Sequence, residues 1–223
     1  MSVLEVREVC KVFGERRVLD GACLTVESGD TVAIMGPSGS GKSTLLNIMG
    51  GLDTPTSGTV AFGGTNLADL APAETAAYRA SHVGFVFQEH HLLPQLTAIE
   101  NVLLPTLAAR ADRSEERALS LLEQVGVAHR RDGFPWQMSG GERQRVAVAR
   151  ALINRHAVHL CDEPTGNLDR ETGSQIVDLL LRVAADQASD ARMAVVMVTH
   201  NAEHAARFAR NYRLDAGVLV AGT

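Results

Sequence analysis

Cysteine and aromatic side chains are scarce in this chain. Three cysteines occur in 223 residues, and no two of them form a C-x-x-C pair. An odd number without that spacing argues against a disulfide framework or a zinc site, so we expect reduced thiols, as in a cytosolic protein. Aromatic residues make up only 4% of the chain, but its hydrophobic share of 45% is ordinary for a globular protein with a full core.

The chain also lacks a basic excess and a long apolar run. Lys and Arg number 21 against 26 Asp and Glu, which gives a formal net charge of -5. Nucleic-acid-binding proteins need a basic face, so we expect no nucleic-acid partner. Arg143, Arg145 and Arg150 do cluster, but on a predicted helix, where we expect a solvated or interface face. No stretch approaches the roughly 20 apolar residues that span a bilayer, so membrane association would need a partner.

Four short apolar runs predict buried parallel strands. These runs are Thr31–Met35, Val83–Phe87, Ala157–Cys161 and Ala194–Val198. The residues that follow them, in the same order, are Gly36, Gln88, the pair Asp162-Glu163 and the pair Thr199-His200. Because ligands of open α/β sheets bind at the carboxyl ends of the strands, this pattern predicts one nucleotide site assembled by the sheet.

The most specific motif is the glycine-rich segment from Gly36 to Ser43, which has the P-loop pattern G-x-x-x-x-G-K-S. It follows a predicted strand and precedes a helix-like stretch, Thr44–Met49. Glycines let backbone N–H groups turn toward phosphate oxygens, and a helix N-terminus adds partial positive charge. We expect Lys42 to neutralise β- and γ-phosphate charge and the Ser43 hydroxyl to hold Mg²⁺.

The remaining patterns predict the domain organisation. Loose alternation in Val3–Val9 and Leu19–Val26, with a short run at Gly58–Phe62, predicts an antiparallel β layer. A helical pattern fills the region from about residue 89 to 154, with one helix starting at Ser114 and another spanning Gly140–Ile153. We predict a single domain of residues 1–223. Residues 1–87 and 156–223 would form the β layer and the α/β core, and residues 88–155 an inserted α-helical subdomain.

Two further segments complete a set of three motifs. They are Met138-Ser139-Gly140-Gly141-Glu142-Arg143-Gln144-Arg145 and Asp162-Glu163-Pro164-Thr165-Gly166-Asn167-Leu168-Asp169. With the glycine loop, and in this order, they resemble the defining motifs of the ATP-binding cassette (ABC) ATPases over essentially the whole chain. The resemblance implies an α/β fold: a P-loop NTPase (RecA-like) core with an antiparallel β layer and an inserted α-helical subdomain. It also implies ATP hydrolysis with Mg²⁺.

The resemblance assigns roles to matching positions. Glu163 corresponds to the proposed general base that activates water, and His200 to the histidine beside the γ-phosphate. Ser43, Gln88 and Asp162 correspond to residues around Mg²⁺. Phe13 matches the aromatic that stacks on adenine, where Tyr is usual, and a simple core position is the alternative for it. The positions matching the phosphate-binding segment are Gly36, Pro37, Ser38, Gly39, Ser40, Gly41, Lys42, Ser43 and Thr44.

The segment Ser139-Gly140-Gly141-Glu142 has both a local and a family interpretation. Ser139 as N-cap and Glu142 three residues later predict a capping box. Two glycines in a first helical turn are costly, so capping alone does not explain them. In the family this signature binds the γ-phosphate held by an opposing subunit, and Asp169 matches an aspartate that crosses the interface. The resemblance therefore implies a second cassette in a head-to-tail pair.

A few positions depart from the family pattern. Met138 stands where Leu is usual, and Glu142 where Gln is commoner. His159 interrupts a predicted strand where an aliphatic residue is preferred. A buried imidazole needs a hydrogen-bond partner, so we expect His159 at the periphery of the sheet.

Two stretches narrow the family. Gly50–Gly58 and Gln88–Pro94 resemble the lipoprotein-releasing ATPases, which form a group with macrolide-exporter and cell-division cassettes. This implies integral membrane permease subunits as partners and a peripheral location on the cytoplasmic side of the inner membrane. The apolar segment His90–Pro94 is expected either to contact the permease or to pack as a buried loop against the helical subdomain.

Other functions remain open at this point. Efflux of the macrolide-exporter type and cell-division-type regulation are alternatives within the group. A soluble ABC ATPase acting on DNA or ribosomes is less favoured. The interval from Ser43 to Ser139 has no heptad repeat, and the chain carries one cassette rather than two.

Overall fold

The computed structural model describes residues 2–109, 113–185 and 192–222. The predicted domain organisation also includes residues that lie outside these ranges, namely 1, 110–112, 186–191 and 223. The division into a core and a helical subdomain stays a prediction. The strands are β1 (Ser2–Phe13), β2 (Arg16–Glu27), β3 (Thr31–Met35), β4 (Ser57–Phe62), β5 (Thr65–Asn66), β6 (Val83–Val86), β7 (Val158–Asp162), β8 (Ala194–Thr199), β9 (Arg210–Asp215) and β10 (Val218–Ala221). The α-helices are α1 (Lys42–Met49), α2 (Pro72–His82), α3 (Ala98–Ala109), α4 (Glu115–Gln124), α5 (Gly140–Leu152), α6 (Arg170–Ala185) and α7 (Ala202–Ala205).

The strands form two sheets. The larger has the order β10-β9-β3-β8-β7-β6, and the smaller has the order β2-β1-β4-β5. In the larger sheet β3, β8, β7, β6 and β9 pair in parallel, and β10 pairs antiparallel with β9. The carboxyl ends of β3, β7 and β8 therefore lie side by side, as the strand pattern predicts.

Two apolar cores lie on opposite faces of the larger sheet. Alternate side chains of β7 belong to different cores: Cys161 is part of the first core, and Val158 and Leu160 are part of the second. The first core contains the inner faces of α3, α4, α5 and α6, and the second contains α1 and the inner face of the smaller sheet. Each strand end is thus held from both sides, and the residues that follow β3, β7 and β8 project from a rigid edge.

The predicted elements are present with small shifts in their bounds. All four predicted strands of the larger sheet and the three of the smaller one occur. The helix predicted at Ser114 starts at Glu115 with the Ser114 side chain accepting from the Arg117 N–H, and Gly126 follows its end in the left-handed region at φ 74°. Helix α2, with Pro72 in its first turn and Glu74 accepting from the Ala71 N–H, was not predicted.

One expectation was wrong, and one alternative of another does not hold. The His159 side chain is not peripheral: it is 1% exposed, on a strand with neighbours on both sides. Its Nε2–H donates to the Ala151 carbonyl oxygen at 2.9 Å, and burial lowers its pKa to about 3, so the ring is neutral. Of the two alternatives for the arginine cluster, a solvated face does not hold for Arg150, and an interface face stays a prediction. Arg150 is half-buried and donates to the carbonyl oxygens of His90 and His91 at 2.8 and 2.7 Å.

Within the described ranges, no helix is both long and apolar enough to cross a membrane.

Candidate nucleotide-binding site

The glycine-rich loop connects β3 to α1 and holds Lys42 beneath it. Lys42 is the first residue of α1, and its ammonium group donates to the carbonyl oxygens of Gly36 and Pro37 at 2.8 and 3.0 Å. Its side chain is 8% exposed. A buried ammonium at a helix N-terminus, under a loop of backbone N–H groups, is suited to bind phosphate.

At two glycines of this loop there is no room for a side chain. A Cβ on Gly36 would lie 2.4 Å from the carbonyl oxygen of Leu214, and one on Gly41 would lie 2.9 Å from that of Val18. Gly41 also has φ 101°, a conformation that side chains disfavour. The backbone of the loop therefore packs directly against the backbone of β2 and β9, with no room for side chains between them.

Asp162 ends β7 and Glu163 follows it, beside this loop. The Ser43 hydroxyl donates to Asp162 Oδ1 at 3.0 Å, which brings a hydroxyl and a carboxylate oxygen together. Burial raises the pKa of Asp162, the Ser43 hydrogen bond lowers it, and the neighbouring Glu163 carboxylate raises it further. A divalent cation there would favour the ionised form, and hard oxygen ligands are those that Mg²⁺ prefers.

Glu163 lies between two basic side chains. Its Oε1 lies 3.9 Å from Lys42 Nζ, and its Oε2 lies 3.0 Å from His200 Nδ1 and accepts from the His200 N–H at 3.3 Å. Glu163 has φ 44°, so its backbone is in the left-handed region. Such a conformation costs on the order of 1 kcal/mol in a non-glycine residue and is typical of functional positions.

Gln88 completes this side of the site. Its amide donates to Asn167 Oδ1 at 3.2 Å, and Asn167 Nδ2 donates back to the Gln88 carbonyl oxygen at 3.5 Å. Gly166 leaves room for this pair, because a Cβ there would lie 2.8 Å from Gln88 Nε2. Helix α5 fixes the approach to Gln88 through Gln144, whose side chain donates to the Phe87 carbonyl oxygen at 2.9 Å.

These groups surround one cavity of about 700 Å³. The sequence-predicted residues that line it are Ser38, Gly39, Gly41, Lys42, Ser43, Thr44, Gln88, Glu163 and His200. Arg16 and Val18 of β2 also line it, and sequence reasoning missed both. No motif marks them, because the hairpin of β1 and β2 brings them to the loop. Gly36, Pro37, Ser40 and Asp162 do not line it, although Gly36 and Pro37 accept from Lys42 and Asp162 accepts from Ser43.

Phe13 lies next to this cavity but does not line it. It ends β1 and pairs in register with Arg16, which does line the cavity. The ring is 51% exposed, and Lys11 Nζ lies 4.8 Å from its centroid. The exposed ring, beside the cavity residue Arg16, is of a kind that can stack on a base.

Ser139, Gly140, Gly141 and Glu142 are not part of this cavity. They start α5, where the predicted capping box is present: the Ser139 hydroxyl accepts from the Glu142 N–H at 3.2 Å, and Glu142 Oε2 accepts from the Ser139 N–H at 2.7 Å. Glu142 Oε1 also accepts from Arg130 Nε at 2.8 Å. These hydrogen bonds lower the pKa of Glu142 to about 2, and the bond from Arg130 has the largest effect.

The two signature glycines differ in their surroundings. A Cβ on Gly141 would lie 2.7 Å from the Thr172 methyl carbon, so packing explains that glycine. On Gly140 the nearest described atom would be Leu168 Cδ2 at 3.9 Å. A side chain at position 140 would therefore meet no steric obstacle within this chain, and the Gly140 backbone is exposed.

Asp169 and the segment His90–Pro94 flank the site. Asp169 Oδ1 accepts from the Thr172 N–H at 3.0 Å at the start of α6, and this hydrogen bonding lowers its pKa. In the segment, Leu92 is 7% exposed and joins the core, while Leu93 is 43% exposed. One leucine of the segment therefore packs inward and the next is exposed, and contact with a permease stays a prediction.

Known proteins resemble this chain over its length. The ABC transporter family model matches residues 19–166. A lipoprotein-releasing system ATP-binding protein LolD from Geobacter metallireducens is 48% identical, covering 99% of each chain. A macrolide export ATP-binding/permease protein MacB from Rhodopirellula baltica is 47% identical over 91% of this chain and 30% of that protein. The dimeric structure of the cassette MJ0796 in a post-hydrolysis state with ADP and Pi matches with a TM-score of 0.86, at 39% identity, covering 97% of this chain and 96% of that one.

Fold and site together define a P-loop nucleotide-binding protein with an acidic pair at the end of a strand of the same sheet edge. More specifically, the chain belongs to the ABC transporter family. The predicted fold class and the predicted activity, that of an ABC ATPase, are confirmed.

Proposed function

We propose that this chain hydrolyses ATP to drive the release of lipoproteins from the inner membrane through partner permease subunits. The observation that supports the hydrolytic step is the convergence of Lys42, Ser43, Asp162, Glu163 and His200 on one cavity edge. Similarity to a lipoprotein-releasing ATP-binding protein over 99% of both chains supports the transported class.

The roles of the residues follow from their positions. Lys42 and the loop amides would bind the β- and γ-phosphates, and Phe13 would stack on adenine. Glu163 would accept a proton from the attacking water. His200, 3.0 Å from that carboxylate, would orient Glu163 and contact the γ-phosphate.

Ser43, Asp162 and Gln88 would hold Mg²⁺. The 3.0 Å hydrogen bond between the Ser43 hydroxyl and Asp162 brings both oxygens to one point, which supports this assignment. When bound, Mg²⁺ would neutralise charge on the transferring phosphate.

A second copy of the chain would complete each site. Within one chain Ser139 and Gly140 lie outside the cavity that contains Lys42. The start of α5 offers backbone N–H groups and an unobstructed Gly140 to an anion. A head-to-tail pair would place this segment, with Asp169 nearby, against the γ-phosphate of the opposite copy.

The permease would dock beside Gln88. The exposed Leu93 belongs to the segment His90–Pro94, which begins two residues after Gln88, so a partner contact there can reach the phosphate site within a few residues. We place the chain on the cytoplasmic side of the inner membrane, held there by the permease. Macrolide-exporter-type efflux is the second candidate, supported by 47% identity to the MacB protein.

The test is affinity purification of a tagged Glu163→Gln variant from solubilised membranes in MgATP, followed by mass spectrometry, with Lys42→Ala as the matched control. We expect Glu163→Gln to retain permease subunits with acylated lipoproteins, and Lys42→Ala to retain fewer. Recovery of an efflux permease or of cell-wall hydrolases instead, or of no membrane protein, would contradict the lipoprotein proposal.

A further inference from the structure

Arg16 is one of the two cavity residues, with Val18, that no sequence motif marks. It is the first residue of β2, and Val18, two residues later, lines the same cavity. Residues two apart on a strand share a face, so β2 directs this face at the glycine loop. Arg17 lies between them, does not line the cavity and pairs with Asp20 at 2.7 Å.

A hydrogen bond holds Arg16 against the glycine loop. Its Nη2 donates to the Gly39 carbonyl oxygen at 3.2 Å. A Cβ built on Gly39 would lie 3.7 Å from the same nitrogen. The guanidinium therefore lies over the middle of the loop. Because the Arg16 side chain is exposed, the other N–H groups of the guanidinium can donate to a ligand.

The charge balance of the cavity depends on this residue. Arg16 and Lys42 are the permanently cationic side chains among the described lining residues, and Glu163 is the carboxylate among them. Lys42 lies 3.9 Å from Glu163, so part of its charge is offset. Arg16 contacts no carboxylate in the described ranges, so its charge is available to an anion.

We propose that Arg16 is a phosphate-binding residue of the nucleotide site, acting as a second cation beside Lys42. This inference rests on the proposed nucleotide site. Its geometry is suitable because the planar guanidinium can donate two parallel N–H groups to phosphate oxygens. Arg17 offers the same side chain one position away, outside the cavity.

The test compares Arg16→Ala, Arg16→Lys and Arg17→Ala by calorimetric titration with the magnesium complex of a non-hydrolysable ATP analogue. We expect Arg16→Ala to weaken binding about tenfold, the size of one charge-assisted hydrogen bond. Arg16→Lys should recover part of the loss, and Arg17→Ala should bind like wild type. The loss should shrink at high salt because Arg16 is exposed.

The outcomes separate this inference from the function it rests on. If wild type binds the analogue and Arg16→Ala binds equally well, the role of Arg16 is wrong while the nucleotide site stands. An equal loss in Arg17→Ala would mean a general charge effect and would also overturn it. If wild type does not bind the analogue, the proposed function itself fails.

Discussion

Replacing Gly84 with Ala should destabilise the protein because His159 occupies the space of the missing side chain. Gly84 and His159 are register partners on β6 and β7. A Cβ on Gly84 would lie 2.5 Å from both Cδ2 and Nε2 of the imidazole and 2.8 Å from the Ala151 carbonyl oxygen. The ring is 1% exposed and cannot swing into solvent.

The expected cost has two parts. Forcing a methyl group into a packed core costs about 1–3 kcal/mol. If the ring turns to make room, the hydrogen bond from Nε2 to Ala151 is also lost, which costs about 1 kcal/mol more. We therefore expect the free energy of unfolding to fall by about 2–4 kcal/mol.

Urea denaturation followed by circular dichroism measures this change. With a denaturant slope of about 2 kcal/mol/M, the midpoint should fall by about 1–2 M. His159→Ala alone should also destabilise, by leaving a cavity. In the double variant the new methyl group enters that space, so the two costs should not add.

Additive costs in this double-mutant cycle, or a Gly84→Ala midpoint equal to wild type, would refute the reasoning. Because β6 leads to Gln88 and β7 to Asp162 and Glu163, nucleotide hydrolysis in Gly84→Ala should fall as well.

Two further predictions concern the site and the signature. Lys42→Ala should raise the Kd for ATP by at least about tenfold, because it removes the buried ammonium under the loop; unchanged binding in a fluorescent-nucleotide titration would contradict its role. Glu142 has its pKa lowered from 4.5 to about 2, so its ionised form stabilises the fold above pH 4.5, and this contribution is lost as the pH falls toward 2. Glu142→Gln should cost about 1–2 kcal/mol at neutral pH, after allowance for solvent screening, and nothing near pH 2; a cost that stays constant across urea midpoints at several pH values would contradict this.

Local patterns were sufficient to predict the parts of the site that are close in sequence. The loop from Gly36 to Ser43, the acidic pair after β7 and the capping box at Ser139 each depend on residues within a few positions. Parallel strands then bring their carboxyl ends to one edge, so residues as distant as Ser43 and Asp162 could be expected to meet.

Contacts between distant segments could not be predicted in the same way. Arg16 enters the cavity because a hairpin folds beside the glycine loop, and no motif marks the hairpin as the neighbour of that loop. The sequence alone does not explain a polar residue at position 159. In the fold, Gly84 provides the space for the His159 ring, and Ala151 near the end of α5 provides its hydrogen-bond acceptor. Arg150 reads as a surface cation, but it donates to the carbonyl oxygens of the His90–His91 loop.

One missed element did carry local signals. Helix α2 begins with Pro72 in its first turn and Glu74 accepting from the Ala71 N–H, both ordinary features of a helix N-terminus. Among its residues only Tyr78 is buried, so the helix contributes little to the apolar core. Capping signals alone would have been the way to find it.

The measurement that tests the central claim most directly is phosphate release from MgATP by wild type and Glu163→Gln, with ATP binding measured on the same preparations. The variant is isosteric and keeps the neighbours of Glu163, so binding should match wild type. Turnover should fall by about 10²–10⁴, the contribution of a positioned general base. Near wild-type turnover in Glu163→Gln, or no ATP hydrolysis by wild type, would contradict the account.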